Sequence, residues 1–510
     1  MRYGTAKYGT FKYGPFPIHP HLLWGIDIDW DGDGNWSGEN EAEHVFGLSC
    51  WRGRDFLVAS NGEGFEPMGI GEMTLKVRND DGRYDPYNAD GPLYGLLFPG
   101  KKVRVRVKDS SAGATGVTYN IFAGRLKNII PYGRRGTSEL VVTEDWDMLA
   151  QADAAVRLQS GIRTDQAMLE ILSKVGWLTE WPVALDISSD HIPYWWEKKG
   201  KAKPKLEELS SSSLGSVFVA GDGTFTFYSR HHPINPENTI TEKQVLKDIA
   251  IPQPWENVRN RITVQTHPQV VQNFGILWSL EETLWISAGQ EIMMEVYYTH
   301  DNANVPATGV IPPEPYIDYY FSDVLGVHRP EQAQVHTEDL RVKFWENGTS
   351  AILTLTNTAA YGGYLVFMRV RGYPIASPNV LSSLSDVGDY AIRPRSFRLD
   401  STWLQSKYLS DDFADFLGTH LYTKMKYPVA VIEARPDLQF ALELFDIFWL
   451  DWTTWGISER FQVVRVEHEW LEETGQLTRT KVNFEPIKIV GLPPWKMGES
   501  ALGTTTRIGW

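Results

Sequence analysis

The sequence predicts a mainly β chain of the α+β class: a first set of short antiparallel strands that suits a small barrel or sandwich, a second barrel-like set, a few helices and an inserted β-sandwich. Three observations lead there. Segments such as VRVRVKD (Val103–Asp109) alternate apolar and polar residues strictly, the period of a half-buried strand. Turn clusters punctuate these segments at short intervals, as at Asp31-Gly32-Asp33-Gly34, Asn79-Asp80-Asp81-Gly82 and Asp90-Gly91-Pro92. Helical periodicity is confined to three segments.

Taken in order, the first 20 residues repeat a unit, RYGT, KYGT, KYGP, with Arg2, Lys7 and Lys12 and no acid before Asp27. That density of Gly, Pro and Tyr predicts an extended arm, residues 1–21. Residues 22–155 hold the first barrel set, from WGIDIDW through TLKVRND, VRVRVKD, YNIFAGRL and ELVVTEDW. Val103, Val105 and Val107 share one face, with Arg104 and Arg106 on the other.

Residues 156–284 carry helices and part of a second barrel. RTDQAMLEILSKVGW sets Ala167, Met168, Ile171, Leu172 and Val175 on one stripe, with Thr164 or Asp165 as N-cap and Gly176 as the stop. A second helix is expected near Pro204 to Leu214, with Leu206 and Leu209 inward. GDGTFTFYSR (Gly221–Arg230) reads as a turn entering a strand, and NRITVQTH as another strand.

Residues 285–390 read as the inserted sandwich, built from EIMMEVYYTH, DLRVKFWENG, AILTLTN and YLVFMRVRG. Val305–Pro315, with Pro306, Pro312, Pro313 and Pro315, is expected to be a loop. In residues 391–490 a basic linker (Arg393, Arg395, Arg398) precedes a third helix. There Ser410 is the expected N-cap, Phe413, Phe416, Leu417 and Leu421 the stripe, Lys424 and Lys426 the basic end, and Pro428 the stop. VAVIEARP, RFQVVRVEHEW and LTRTKVNFEP complete the second barrel set, and residues 491–510 read as a tail.

Composition narrows the function. The chain has 510 residues, 49 Lys plus Arg and 64 Asp plus Glu, a formal net charge of −15. That balance argues against a protein that coats nucleic acid through its phosphates. One cysteine, Cys50, excludes an internal disulfide framework and a cysteine-based zinc site. Aromatic residues are abundant, with 20 Trp, 22 Tyr and 22 Phe, which suits strands, interfaces and carbohydrate-binding surfaces. The start lacks the apolar stretch of a signal peptide. The richest apolar patch, Leu444–Leu450, is short and carries Asp446, so no membrane-spanning segment is expected and synthesis in a cytosol is.

Motifs of chemistry are sparse, and no catalytic, cofactor-binding or metal residues are assigned. Gly95–Lys102 approaches a phosphate loop, but Lys102 stands where the magnesium-binding hydroxyl belongs and a strand follows. Asp27, Asp29, Asp31, Asp33 and Gly34 resemble the start of a calcium loop. Counted from Asp29, position twelve is Asn40 and not the bidentate Glu, with Glu39 and Glu41 one residue to either side, so an acidic turn is the better reading. His231 and His232 are adjacent and in a strand point to opposite faces. Trp195, Trp196 and Glu197 invite a glycosidase reading, but no spacing singles out a second carboxylate.

The order DIDWDGDGNW, WRGRD (Trp51–Asp55), VRNDDGRYDPYNADGPLYGLLFPGKKVRVRV, IFAGRL resembles the N-terminal domain of siphophage and prophage tail proteins of the baseplate-hub (tail tip hub) type. The later segments DQAMLEILSKVGW, GDGTFTFYSR, NRITV, FADFLGTHLY, PVAVIEARPDLQFALELFDIFWL and FQVVRVEHEW extend the resemblance over most of the chain. It implies a non-enzymatic virion protein at the phage tail tip, a homotrimer with two hub-type barrels per chain presenting six modules to a hexameric tube. The implied partners are the distal tail or tail tube protein, the tape measure protein, and tail fibre or baseplate proteins, with DNA only passing through the channel at ejection. Arg83, Tyr84 and Tyr87 are expected to fix a loop, with contact to a neighbouring ring as the further option. The sandwich is expected to face outward, toward a fibre, another tail protein or a host surface glycan in host attachment. The alternatives are a tail-associated glycan-binding adhesin and a peptidoglycan or glycan hydrolase.

Overall fold

The computed structural model describes residues 22–486, apart from 57, 110–115, 134, 233–238, 242–248, 251–258, 326–334, 378, 387–393, 424–428, 434–438 and 472–478. The expected arm (1–21) and tail (491–510) lie outside the described residues, as do Arg393, Lys424, Lys426 and Pro428.

Strict alternation in the N-terminal sequence yields six strands: β1 (Leu22–Ile28), β2 (Val45–Gly53), β3 (Glu72–Arg78), β4 (Lys102–Asp109), β5 (Val117–Tyr132) and β6 (Thr137–Thr143). They pair antiparallel in the order β1-β4-β5-β6-β3-β2. Val103, Val105 and Val107 are fully buried on one face, among Trp24, Ile26, Leu75, Phe122 and Leu140. Arg104 and Arg106 lie on the opposite face, as the pleat requires. The ladders carry bulges, such as the shift between Val105 and Arg106 against β5, and bulges bend a sheet.

The sheet does not close on itself after β2. The free edge of β2 pairs antiparallel with the strand Ile457–Leu471, from Gly47 opposite Leu471 to Gly53 opposite Arg465. Ile457–Leu471 in turn pairs with Ile447–Trp452 and with Arg479–Pro486, which carries Val429–Glu433. Thr239–Thr241 adds in parallel to Ile447–Trp452. The two barrel sets read from the sequence are thus two halves of one curled eleven-stranded sheet. Alternation identifies a strand but not its neighbour, and this long-range pairing lies beyond it.

Helices cover the second half. They are α1 (Trp146–Gln151), α2 (Thr164–Lys174) and α3 (Ala202–Ser212), whereas α4 (Lys407–Thr423) packs on a separate small sheet. The α2 stripe is buried at Ala167, Met168, Ile171 and Leu172, and Gly176 turns the chain in the left-handed region at φ 77°. The helix begins one residue earlier than expected, so neither Thr164 nor Asp165 is its N-cap. Arg163 is, and its backbone N–H donates to the Gln166 side chain at 3.1 Å. Leu206 and Leu209 of α3 join Trp177, Trp195, Phe448, Leu450, Val464 and Phe484 in one core, so the second half-sheet buries its face against helices.

α4 also starts early, at Lys407, which places Ser410 inside the helix. Its hydroxyl is buried and bonds Thr266 at 2.6 Å and Ser383 at 2.9 Å, tying the helix to strands instead of capping it. Those strands, Arg261–Thr266, Leu381–Asp386 and Ser396–Asp400, form a small sheet packed on Phe413 and Leu417. Side chains of Phe416 and Leu421 lie outside the described residues.

The sandwich is inserted between the first two strands of that small sheet. Its long strand Gly363–Ala376 pairs with Val270–Val271, Gly275–Ser279, Leu284–Ile286, Ala307–Ile311 and Tyr319–Ser322. The opposing layer is Glu291–Tyr297, Ser350–Asn357 and Leu340–Glu346, and Leu277, Phe321, Leu353, Leu365 and Met368 fill the space between. Two expectations need correction. The unit begins at Val270 and not near residue 285, and Val305–Pro315 contains the strand Ala307–Ile311. Pro306, Pro312 and Pro313 flank that strand, where the missing N–H costs no ladder bond.

Candidate interaction site

The loop between β3 and β4 is built from a chain of turns. Asn79 starts it, with its N–H donating to Gly136 O at 2.7 Å and its side-chain oxygen accepting from Tyr84 N at 2.8 Å. One buried carboxylate organises the rest. Glu41, 1% exposed, accepts from Tyr84 Oη at 2.7 Å, Trp30 Nε1 at 2.8 Å and Arg83 at 2.7 and 3.1 Å. Burial, reinforced by the Glu41 charge, pushes the Tyr84 phenol far above its usual range, so it stays a donor. Arg83 and Tyr84 therefore brace the loop, as expected, while Tyr87 does not. It is 92% exposed and projects outward with Tyr94 and Phe98, at 55% and 60%. The braced loop thus displays three exposed aromatic side chains. Sequence reasoning missed Glu41 because its partners lie 11 to 43 residues away. Tyr84→Phe is expected to cost about 1.5–3 kcal/mol, the worth of a hydrogen bond to a charged group. Urea unfolding of the two chains measures it.

The acidic run beside this loop divides in two. Asp27 is buried and pairs with Arg104 at 2.8 Å and Arg106 at 2.7 Å, so it belongs to the sheet and not to the turn. Asp29 accepts from the N–H groups of Gly32 and Gly34, and Asp33 from that of Asn35. Oxygens of Asp29, Asp31 and Glu39 lie within 4.8 Å of one another, the one such group among the described residues. Asn40 is turned to Asp27 and Ala42 instead.

A second polar cluster sits where the two half-sheets meet. Arg52 of β2, 2% exposed, pairs with Glu443 at 2.8 Å, donates to Val219 O at 3.2 Å and lies 4.0 Å from Glu144. Glu443 accepts from Gly221 N at 2.7 Å, and Glu144 from Gly71 N at 2.8 Å. One guanidinium thus touches both halves and the strand Ser216–Val219. Beside it, Arg54 pairs with Glu485 at 2.9 Å, and Gln462 donates to the same carboxylate at 2.6 Å. Burial raises Glu144 to about 8 and Asp446 to about 6. A carboxyl raised on folding favours the neutral form. Its contribution is complete below the unfolded value of 4.5 and is lost as pH rises toward 8. Glu144→Gln is expected to flatten the fall of stability across that window by up to about 1.4 kcal/mol per pH unit, read from unfolding midpoints.

The residues that invited an enzyme reading are buried. Trp195, Trp196 and Glu197 are 0%, 7% and 6% exposed, and the two indoles pack on Trp403. Glu197 pairs with Lys205, and burial lifts it to about 7. His231 and His232 follow the strand Phe225–Tyr228 in a turn and not within it. His232 stacks on Tyr228 at 3.6 Å and pairs with Asp186. Gly95–Lys102 is a turn that runs directly into β4.

No protein-family model and no curated protein matches the sequence. Solved structures do match it. A tail protein from Neisseria meningitidis is 9% identical with a TM-score of 0.49, over 91% of this chain and 96% of that one. A prophage tail protein from Shewanella oneidensis is 8% identical with a TM-score of 0.46, covering 91% of this chain and 98% of its own. A prophage tail protein from Listeria monocytogenes is 8% identical with a TM-score of 0.42, covering 90% and 94%.

Proposed function

We propose that the chain is a structural component of a phage tail, working as a trimeric hub between the hexameric tail tube and the baseplate, fibres or tip. The observation that carries this reading is the sheet itself. Two antiparallel halves, one from each end of the chain, lie side by side through β2 and Ile457–Leu471. Three such chains in a closed ring offer six half-sheets, which turns threefold symmetry into a sixfold face. The braced loop supplies a contact for that face, the net charge of −15 suits a channel through which DNA slides without sticking, and synthesis in a host cytoplasm precedes incorporation into the virion. The work is binding and geometry, with no turnover.

Mass photometry of the purified chain tests the reading. A species at three times the 57.9 kDa chain, with a central hole in negative stain, supports it, and a stable monomer sinks it. Tyr87→Ala with Phe98→Ala is expected to change stability by less than about 0.5 kcal/mol, because both side chains are exposed. The same double variant is expected to weaken binding to the tail-tube ring, measured by co-sedimentation.

A glycan-binding role for the sandwich is a second reading, favoured by Trp285. Its ring is 47% exposed, braced by Tyr364 at 4.6 Å and seated over Gly362, a geometry that suits stacking on a sugar. A glycan array probed with the full chain and with Trp285→Ala distinguishes this role from pure scaffolding.

A further inference from the structure

We propose that an acid-rimmed cleft beside the junction is the docking site of the chain's own basic N-terminal arm, residues 1–21. The cleft has a volume of about 310 Å³ and lies between the segment Glu63–Met68, α3 and the strand Ser216–Val219. Its ionisable lining is one-sided: Glu63, Glu66, Glu207, Glu208 and Asp400 against Arg54 alone. Three of those acids are engaged. Glu207 accepts from Met68 N and Lys203, Glu208 from Thr402 N, and Asp400 pairs with His267 and Arg398. The carboxylates of Glu63 and Glu66 carry no ion pair among the described residues. Phe65, Val217 and Phe445 add apolar wall. Arg54, 6% exposed, lines the cleft with its Nε lacking a hydrogen-bond partner.

The occupant that fits is a cation joined to an aromatic ring. The arm repeats that unit three times, at Arg2-Tyr3-Gly4, Lys7-Tyr8-Gly9 and Lys12-Tyr13-Gly14, in a chain that is otherwise strongly acidic. The cationic head meets the free carboxylates, the ring meets the apolar wall, and glycine lets the backbone approach closely. Reach is sufficient. The arm joins β1 at Leu22, and β1 stands five strand spacings from β2, about 24 Å across the sheet. Twenty-one extended residues span up to about 70 Å. The inference does not rest on the tail reading, because it concerns the chain alone, and either can fail without the other.

Disulfide trapping in the full chain tests it. Lys7→Cys with Glu66→Cys is expected to cross-link on mild oxidation, since Cys50 is buried and does not compete. A cross-link within one chain assigns the arm to its own cleft. One between chains that fades on dilution places the arm on a neighbouring copy and overturns the assignment to its own cleft. Hydrogen exchange supplies a readout free of new cysteines. Removing residues 1–20 is expected to speed exchange in 62–68 and 207–217 by about tenfold. Glu63→Lys with Glu66→Lys is expected to do the same with the arm present, and adding Lys7→Glu with Lys12→Glu to restore protection. Equal exchange with and without the arm, together with no cross-link, overturns the proposal.

Discussion

Replacing Arg54 by methionine is expected to lower the unfolding free energy by about 3–5 kcal/mol, the cost of stranding a buried charge by removing its partner. Arg54 reaches from the end of β2 to Glu485, which is fully buried in the last described strand, and no solvent is available to the carboxylate it leaves behind. Gln462 still donates to Glu485 and recovers only part of the loss, as a neutral amide carries no compensating charge. The double variant Arg54→Met with Glu485→Gln is expected to regain most of the stability, since a neutral pair of similar size removes the uncompensated charge. Urea unfolding of the wild-type, single and double variants forms the cycle. A single-variant loss below about 1 kcal/mol would show that this pair does not bind the half-sheets together.

The second large effect is expected at Gly53, the residue of β2 that pairs with Arg465 of Ile457–Leu471. Its φ is 103°, a conformation that side chains oppose, and a Cβ would collide with the carbonyl oxygen of Val464 and stand 2.9 Å from Cα of Arg465. Both are backbone atoms that no rotamer change can move aside. Gly53→Ala combines backbone strain of about 1–3 kcal/mol with overpacking of similar size, so a loss of about 3 kcal/mol or more is expected. Gly95, with φ 80° and nothing near its missing Cβ, is the matched control. Its alanine variant carries strain without collision and is expected to lose no more than about half as much. Equal losses at the two positions would show that the close approach at Gly53 carries no weight.

What the sequence disclosed depended on how local the cause was. Val103, Val105 and Val107 announce a buried strand face because alternation is a property of neighbours, and Ala167 to Leu172 announce a helix stripe for the same reason. Ser410 shows the limit. A serine ahead of two aspartates is a capping signal, but its hydroxyl is taken by Thr266 and Ser383, which lie 144 and 27 residues away. Glu41 was in view only as a near miss of the calcium loop, since its bracing role emerges only when Trp30, Arg83 and Tyr84 converge on it. Fusion of the two barrel sets was silent. Neither edge, β2 nor Ile457–Leu471, carries a mark that names its partner. The exposed face of the loop was half legible, with Tyr87 in view as a candidate but Tyr94 and Phe98 not.

The pairing of Gly47 with Leu471 has a consequence for biosynthesis. On the ribosome, β2 emerges early and then waits while more than 400 further residues are translated before its partner strand exists. During that interval the nascent chain carries an unpaired edge, the kind of surface on which strands of other chains accrete. Yield of native protein is therefore expected to rise when that edge is shielded during synthesis. Slower growth temperature or co-produced holdase chaperones should raise it, whereas appending the C-terminal strands as a separate polypeptide should not.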